Sequence, residues 1–217
     1  VWDLRFEAPP SDSSSSWRTP KGRFVLPGAY RVRLRAGSIE HNADLEVAAD
    51  PAVEVPMRDR RRREATLATQ AQLLAATYHA DRATEAALEQ TAVLLASLEE
   101  TAADADLRRT AEASAERAER LRVALKGEAR GLAQQETTLP LADLTLRLYM
   151  TTESWSGLPS PEQVRLTGVA HRDLSALLPD LQDFLSAALP ALRASADSEG
   201  VTWPAEELPQ ALPENLI

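Results

Sequence analysis

The sequence contains no cysteine, which excludes disulfide bonds, thiolate nucleophiles and cysteine-ligated zinc or iron–sulfur sites. Aromatic residues make up only 5% of the chain, and only 8 of its 217 residues are glycine. No apolar run approaches the roughly 18 residues that a transmembrane helix needs. Alanine and leucine must therefore supply most of the hydrophobic core, for which the 44% of hydrophobic residues is sufficient.

Positive charge is also in short supply. The chain has 24 basic and 33 acidic residues, a net charge of −9 and a pI of about 5.0. Most of this excess lies in residues 136–217, which carry 4 basic and 12 acidic side chains. Nucleic-acid binding needs a concentrated basic surface, so the charge balance argues against that class of partner.

The common catalytic motifs are missing as well. There is no glycine-rich phosphate loop, no G-x-S-x-G elbow and no H-E-x-x-H zinc helix. The histidines are dispersed as His41, His79 and His171, of which His171 falls on an apolar helical stripe with Asp173 nearby. Two interpretations of His171 are open: a metal or acid–base role, or a histidine hydrogen-bonded at the edge of the core. No catalytic, cofactor-binding or metal-binding residue is assigned, and no cofactor is expected.

The first fifty residues have the alternation of β-strands. Residues 1–6 alternate with Trp2, Leu4 and Phe6 on one side, which predicts a half-buried strand. Residues 7–21 are polar and rich in proline and serine, which predicts a loop.

A β-hairpin over residues 30–47 is the clearest local pattern. Apolar and charged residues alternate on both sides of Gly37-Ser38, and glycine at the first of two loop positions suits a type II′ turn. This turn fixes the register, because a slip by one residue would invert both faces. The predicted pairs are Tyr30–Leu45, Arg31–Asp44, Val32–Ala43, Leu34–His41, Arg35–Glu40 and Ala36–Ile39.

The predicted strands leave two questions open. The arginine row of the outer face is interpreted either as a solvated sheet face or as a functional surface. Three strands with one apolar face are not stable alone, so they need a partner layer. If that layer is missing, we expect an unpaired sheet edge or an exposed apolar face.

From about residue 58 the sequence becomes helical, with neither proline nor glycine between Met57 and Lys126. A long helix is predicted over about 60–99, with the reversal at Thr101 to Asp106 and a second, antiparallel helix after it. The stripe assigned to the first helix is Leu67, Leu74, Asp81, Leu88 and Leu95, and we expect Leu74 and Leu88 to be buried against Leu121 or its neighbours. The stripe of the second helix is Leu107, Ala111, Ala115, Ala118, Leu121 and Leu125.

Two charged features of these helices have alternative interpretations. Asp81 interrupts the leucine stripe, and it either pairs with an arginine across the helical hairpin or lies at a solvated edge. The run Arg60 to Arg63, with Arg58 before it, is either an anion-binding surface or a solvated junction. Positive charge at the start of a helix opposes the helix dipole, which favours the junction.

The last third of the chain predicts two more helices and a tail. Gly127 and Gly131 weaken the end of the second helix, and a third helix begins near Pro140, with Leu141, Leu144 and Leu148 on one face. Ser160 to Gln163 has the pattern of a helix N-cap. The stripe of that fourth helix is Thr167, His171, Leu174, Leu178, Leu181 and Leu185, and Pro179 and Pro190 are expected to kink or divide it.

The sequence thus predicts an α+β fold, in which a short N-terminal antiparallel β segment precedes an antiparallel α-helical bundle. The predicted domains are a β segment over 1–56, the bundle over 57–200 and an irregular, acidic, proline-rich tail over 201–217.

Several short motifs occur in a fixed order along the chain. The segments are W-D-L-R-F at residues 2–6, P-G-x-Y-x-V-x-L at 27–34, L-x-V-x-x-D-P at 45–51, P-S-x-x-Q at 159–163 and L-P-A-L at 189–192. Together they resemble the C-terminal region of the bacterial sortilin-like, BNR-repeat propeller proteins, which are often labelled glycosyl-hydrolase-like. The flanking Ala188 and Arg193 depart from the last family motif.

This resemblance implies that the β segment holds the last strands of an Ig-like sandwich and that a propeller lies upstream. A start at Val1 without an initiator methionine fits a piece of a longer or processed protein. The resemblance further implies an exported protein, located in the periplasm or secreted, whose partners are the upstream propeller and sandwich strands, with no nucleic acid and no membrane span.

The leading interpretation is a non-enzymatic structural or interaction module. One alternative is an accessory part of a glycoside-hydrolase-like enzyme whose active site lies in the propeller. The other is a helical bundle that binds a metal or small ligand through His171 and its acidic neighbours.

Overall fold

The computed structural model of the protein describes residues 2–11, 19–99, 105–128, 139–204 and 207–209. Within these ranges the chain is an α+β protein in which an antiparallel hairpin precedes the helices, as predicted. The strands are β1 (Gly28–Ala36) and β2 (Ile39–Val47), and the helices are α1 (Met57–Glu99), α2 (Ala105–Lys126), α3 (Leu141–Glu153), α4 (Pro161–Asp183) and α5 (Leu189–Ser198). A π-helical turn, Phe184–Ala188, joins α4 to α5.

The hairpin has the predicted register. Arg35 pairs with Glu40 and Leu34 with His41, and the pairing continues without a slip from Ala36–Ile39 to Gly28–Val47. Gly37 has a φ of 60°, and Ser38 does not have a positive φ. This combination fits the type II′ turn, in which only the first central residue has positive φ.

The predicted first strand is wrong in its extent. Residues 2–6 form no regular strand and make a single β-bridge, between Arg5 and Phe24. Leu4 has a φ of 62°, in the left-handed region that a leucine seldom adopts, and this interrupts the extended backbone. The side chains expected to be half-buried, Trp2, Leu4 and Phe6, are exposed.

Helices α1 and α2 run in opposite directions. Arg108 near the start of α2 donates to the carbonyl of Leu98, while Lys126 at its end reaches Asp81. The stripe predicted for α2 is confirmed, since its members are buried except for the half-buried Ala115. Most of the predicted reversal lies at residues 100–104, outside the described residues, as does Gly131. Gly127, with a φ of 76°, follows the last residue of α2.

The buried face of α1 matches the predicted stripe only in part: Leu67, Leu74 and Asp81 of that stripe are buried. The buried positions that alternate at spacings of three and four are Gln70, Leu73, Thr77, Ala80, Thr84, Ala87, Thr91, Leu94 and Leu98. The residues of the predicted stripe from Leu74 onward each lie one position after Leu73, Ala80, Ala87 or Leu94. They are therefore at the side of this face. Accordingly Leu88 and Leu95 are only half-buried.

Threonine at core positions explains why the sequence pattern missed part of the buried face of α1. The hydroxyls of Thr77, Thr84 and Thr91 donate to the carbonyls four residues earlier at 2.7, 2.7 and 2.8 Å. Each buried hydroxyl is therefore satisfied within its own helix, so threonine can occupy a core position at little cost. An apolar pattern does not detect such positions.

The core has two parts. The main cluster joins all five helices, with Leu141 and Leu148 contributed by α3. Leu88, which was predicted to be buried, is half-buried and packs against this cluster, to which Leu121 belongs. Leu74 belongs instead to a second cluster with Leu67 of α1 and Tyr149 of α3. The prediction that Leu74 packs against Leu121 is therefore wrong, because this side of α1 faces α3.

Helix α4 begins with the predicted N-cap. The hydroxyl of Ser160 accepts from the Gln163 amide at 3.1 Å, and the Gln163 side chain accepts from the Ser160 amide at 2.8 Å. Helix α4 continues through Pro179 to Asp183, so this proline does not divide the helix. The division lies at the π-helical turn just before Pro190, a residue that has no amide hydrogen to donate.

The irregular segment after α5 returns to the helices. Trp203 is buried in the main cluster, and its indole Nε1 donates to Oε1 of Gln90 at 3.1 Å. The amide of the same glutamine donates to the carbonyl of Glu207 at 3.1 Å. This part of the predicted tail is therefore fixed to α1.

Candidate interaction surface

The three histidines do not converge on a site. His41 lies on β2, His79 on α1 and His171 on α4, and the described residues contain no group of three or more metal-ligating side chains. The predicted place of His171 on the buried stripe of α4 is wrong, because its side chain is exposed. The nearby Asp173 forms an ion pair with Arg172 at 3.0 Å. The metal or acid–base interpretation of His171 therefore has no geometric support.

Asp81 forms an ion pair across the helical hairpin with a lysine. Its side chain is buried, and Nζ of Lys126 lies 2.9 Å from Oδ2. Lys126 also contacts Glu85. Burial by itself would lower the pKa of Lys126, but the hydrogen bonds to Asp81 and Glu85 outweigh burial and raise it. The solvated-edge interpretation of Asp81 is wrong, and the pair ties α2 to α1 at one register.

The arginine run at the start of α1 is divided between structure and solvent. Arg58, Arg61 and Arg62 are exposed. Arg60 turns back onto the preceding segment and donates to the carbonyls of Val55 at 3.0 Å and Val53 at 2.7 Å. A continuous anion-binding surface is therefore not formed.

Arg63 connects α1 to the end of α3. Its guanidinium donates to the carbonyls of Trp155 at 2.6 Å, Glu153 at 2.9 Å and Thr152 at 3.1 Å. These carbonyls belong to the last turn of α3 and the residues after it, where helix carbonyls lack intrahelical partners. Burial lowers the pKa of Arg63, while Glu153 and Glu64 act against this shift.

The segments before β1 are attached to the helices by paired charges. Arg5 reaches Oε1 of Glu153 at 2.6 Å, and Arg23 reaches Oε1 of Glu64 at 2.6 Å. The two guanidiniums also lie over aromatic rings, Arg5 over Phe24 at 3.6 Å and Arg23 over Phe6 at 4.0 Å. The single β-bridge between these segments is thus reinforced from both sides.

Tyr149 supports the same junction from α3. Its ring is buried, and its hydroxyl donates to the carbonyl of Lys21 at 2.6 Å. Desolvation and, after it, the charge of Glu153 raise the pKa of Tyr149 to about 12. The phenol therefore acts as a neutral hydrogen-bond donor that holds the loop before β1 on the helices.

A cavity of about 390 Å³ separates the base of the hairpin from the helices. Its apolar wall comes from the segments around β1 and β2, and its polar wall includes Arg60, Arg63, Glu64 and Glu153. Each of these four side chains is already bonded within the chain, as described above. Because these side chains already bind other parts of the chain, the arrangement fits a structural joint between the hairpin and the helices.

The hairpin above this joint has an uncovered face, here named the apolar face: Tyr30, Val32, Leu34, Ala36, Ile39, His41, Ala43 and Leu45. The exposed fractions of Val32, Leu34 and Ile39 are 47%, 64% and 58%. Trp2 lies beside Tyr30 at one end of this face, and the centroids of the two rings are 6.0 Å apart. The exposed apolar face that we expect where a partner layer is missing is therefore observed.

Neither a family model nor a curated protein nor a solved structure matches this chain. Among the helices of the described ranges, every one is too short or too polar to be a membrane-spanning segment.

The sequence pattern identified the apolar face of the hairpin but missed the joint below it. Arg63 stands in a run of similar arginines, and its acceptors are about 90 residues away in the chain. Tyr149 was not singled out, and its acceptor, Lys21, is 128 residues away. A pattern of neighbouring residues carries no information about such contacts.

Proposed function

We propose that the chain is a non-enzymatic structural and interaction module of a larger propeller protein, located C-terminal to the propeller. In this proposal the hairpin completes an Ig-like β-sandwich whose other strands come from the upstream polypeptide. The helices form a bundle that carries the hairpin and fixes its orientation.

The exposed apolar face is the observation that carries the proposal. A soluble monomer seldom exposes a contiguous apolar patch that includes several large side chains. An isolated two-stranded hairpin is marginally stable in water, and a covering layer is the usual source of its stability. The face from Val32 to Leu45 has the alternation of a sandwich strand pair, with apolar residues on one side only.

The joint supports the same role. Arg5, Arg23 and Tyr149 attach the segments before β1 to the helices, and Arg60 attaches the segment after β2. Both ends of the hairpin are thus held, while its apolar face is left open. Such an arrangement suits an element that is presented to a partner in a fixed orientation.

The proposal includes an extracytoplasmic location, which is supported only by the resemblance to exported propeller proteins. Fractionation of the native producing cells with an antibody to the chain tests this part. Recovery in the cytoplasmic fraction would contradict it without affecting the proposed role of the hairpin.

Hydrogen exchange tests the proposed role directly. Amide exchange in residues 28–47 is compared between the 217-residue chain and the complete polypeptide that contains it. We expect exchange of the hairpin to slow at least tenfold in the complete polypeptide, while exchange of α1 and α2 changes little. Equal protection of the hairpin in both proteins would overturn the proposal.

Two charge substitutions in the complete polypeptide, a test variant and its matched control, distinguish the two faces of the hairpin. Leu34→Asp introduces a carboxylate on the apolar face and is expected to abolish the additional protection. Asn42→Asp introduces the same charge on the opposite face of the hairpin and is expected to preserve it. Similar effects of both substitutions would show that the apolar face is not the covered one.

A further inference from the structure

The two edges of the hairpin differ in charge. Among the described residues, β1 and β2 pair only with each other, so each strand has one open edge. On the face opposite the apolar face, β1 carries Arg31, Arg33 and Arg35 in a row. The corresponding row of β2 is Glu40, Asn42, Asp44 and Glu46.

The ion pairs between the rows leave positive charge on β1. Arg31 lies 2.9 Å from Asp44, while Arg35 and Arg33 share Glu40 at 2.8 and 3.4 Å. Three guanidiniums therefore face two carboxylates along the middle of the hairpin. All three arginine side chains are more exposed than buried, so they can also reach a neighbour on the open edge of β1.

The open edge of β2 offers no equivalent charge. Asn42 at its centre is neutral, and Glu40 and Asp44 are the residues that bind the arginines. The remaining carboxylate, Glu46, lies opposite Ala29 near the base of the hairpin. An added strand therefore meets a charged row at the edge of β1 and a nearly neutralised row at the edge of β2.

This asymmetry also selects against a second copy of the chain. Two copies paired symmetrically through β1 would place Arg31, Arg33 and Arg35 against the same row of the partner. Like charges opposite each other on neighbouring strands are destabilising. The charge row thus acts against self-association while leaving the edge open to a strand with acidic side chains.

We infer that the upstream polypeptide contributes a β-strand to the open edge of β1, with acidic side chains beside the arginine row and apolar side chains that extend the apolar face. This inference rests on the proposed function, since the strand belongs to the upstream part of the same polypeptide. To that proposal it adds which edge of the hairpin the strand uses and which side chains the strand carries. Strand addition of this kind uses main-chain hydrogen bonds for affinity and alternate side chains for specificity.

Model peptides test the inference on the 217-residue chain. One peptide alternates valine and glutamate over eight residues, and its matched control alternates valine and lysine. We expect the acidic peptide to shift the backbone amide NMR signals of residues 28–36, although the protein itself has a net charge of −9. Its affinity is expected to fall severalfold when the salt concentration is raised from 0.05 to about 0.5 M.

Two arginine substitutions locate the contact. Arg33→Glu is expected to weaken binding of the acidic peptide at least tenfold. Arg58→Glu changes an exposed arginine that lies on α1, away from the hairpin, and is expected to have no effect. Unchanged circular dichroism of both variants confirms that the fold is intact.

Four outcomes would overturn the inference: no binding of the acidic peptide, equal binding of both peptides, shifts confined to β2, or a dimer of the free chain through β1. The first three leave the proposed function standing if the hairpin is still protected in the complete polypeptide. Conversely, binding of the acidic peptide without protection in the complete polypeptide would locate the failure in the proposed function.

Discussion

In the helices, Leu94 and Leu98 of α1 have no exposed surface, whereas in the hairpin Leu34 and Ile39 are more exposed than buried. The hairpin alternates apolar and polar residues with a period of 2. Helix α1 has the weaker apolar pattern, since threonines occupy part of its buried face, and yet it is the region that forms a packed core.

The difference lies in what each region can bury by itself. Helix α1 contacts α2, α3 and α4, so its buried face is surrounded by other parts of the same chain. The hairpin contains two strands, and their side chains on one face cannot cover each other. A regular apolar pattern therefore predicts which face seeks a partner, but it does not show that the partner is within the chain.

The largest expected effect compares one leucine from each region. Leu94→Ala should destabilise the protein by about 2–5 kcal/mol, because it leaves a cavity in the packed core. Leu34→Ala should change the free energy of unfolding by less than about 0.5 kcal/mol, because the side chain is mostly solvated. Urea denaturation followed by circular dichroism measures both values.

A half-buried leucine provides an intermediate case for this comparison. Leu88 packs against the main cluster but keeps part of its surface in water. The cost of Leu88→Ala should therefore fall between those of the other two leucines. A cost for Leu34→Ala equal to that for Leu94→Ala would show that the hairpin is already part of the cooperative core.

Regions with uninterrupted local patterns could be predicted from the sequence. The register of the hairpin follows from alternation on both sides of Gly37-Ser38, and the N-cap of α4 follows from Ser160 and Gln163. Part of the buried face of α1 was missed, because Thr77, Thr84 and Thr91, whose hydroxyls bond to their own helix, occupy core positions.

Other features could not be predicted because they depend on distant residues or on a single backbone angle. The positive φ of Leu4 ends the expected first strand, and no local pattern indicates it. The contacts of Arg63 and Tyr149 join segments about 90 and 128 residues apart. Their positions follow from the packing of whole helices, which a pattern of neighbouring residues does not specify.

The second prediction concerns the joint between the two regions. Arg63→Ala removes a charged donor from three carbonyls at the end of α3 and should cost about 1.5–3 kcal/mol. Arg62→Ala is the matched control, since it removes an exposed arginine one residue earlier and should cost less than about 0.5 kcal/mol. Equal costs in urea denaturation would show that the end of α3 does not depend on Arg63.

The third prediction uses pH to separate the joint from the rest of the fold. Tyr149→Phe should cost about 0.5–1.5 kcal/mol at neutral pH, because the hydrogen bond to the Lys21 carbonyl is lost. In the native protein the pKa of Tyr149 is raised from 10 to about 12, so the unfolded chain loses this proton first. The stabilisation is thus complete below pH 10 and is lost as the pH rises toward 12.

The stability difference between the wild type and Tyr149→Phe should therefore shrink between pH 10 and pH 12. Tyr78→Phe is the control, since Tyr78 is half-buried on α1 and lies away from the joint. Urea denaturation at several pH values measures the difference. A constant difference across this range would mean that the phenol titrates normally in the folded protein.

The smallest expected effect concerns an ion pair on the hairpin itself. Arg31 and Asp44 lie 2.9 Å apart, but both side chains are largely exposed, so the pair is worth less than about 1 kcal/mol. Arg31→Ala should leave the denaturation midpoint of the helices unchanged, because opening of the hairpin does not require global unfolding. Amide exchange within residues 28–47 should instead become about two to five times faster, the equivalent of roughly 0.5–1 kcal/mol. Arg82→Ala removes a less exposed ion pair on α1 and should leave that exchange unchanged. If Arg31→Ala also accelerated exchange in α1 and α2, the hairpin and the helices would unfold as one unit, and the contrast between an open region and a packed region would not extend to their stability.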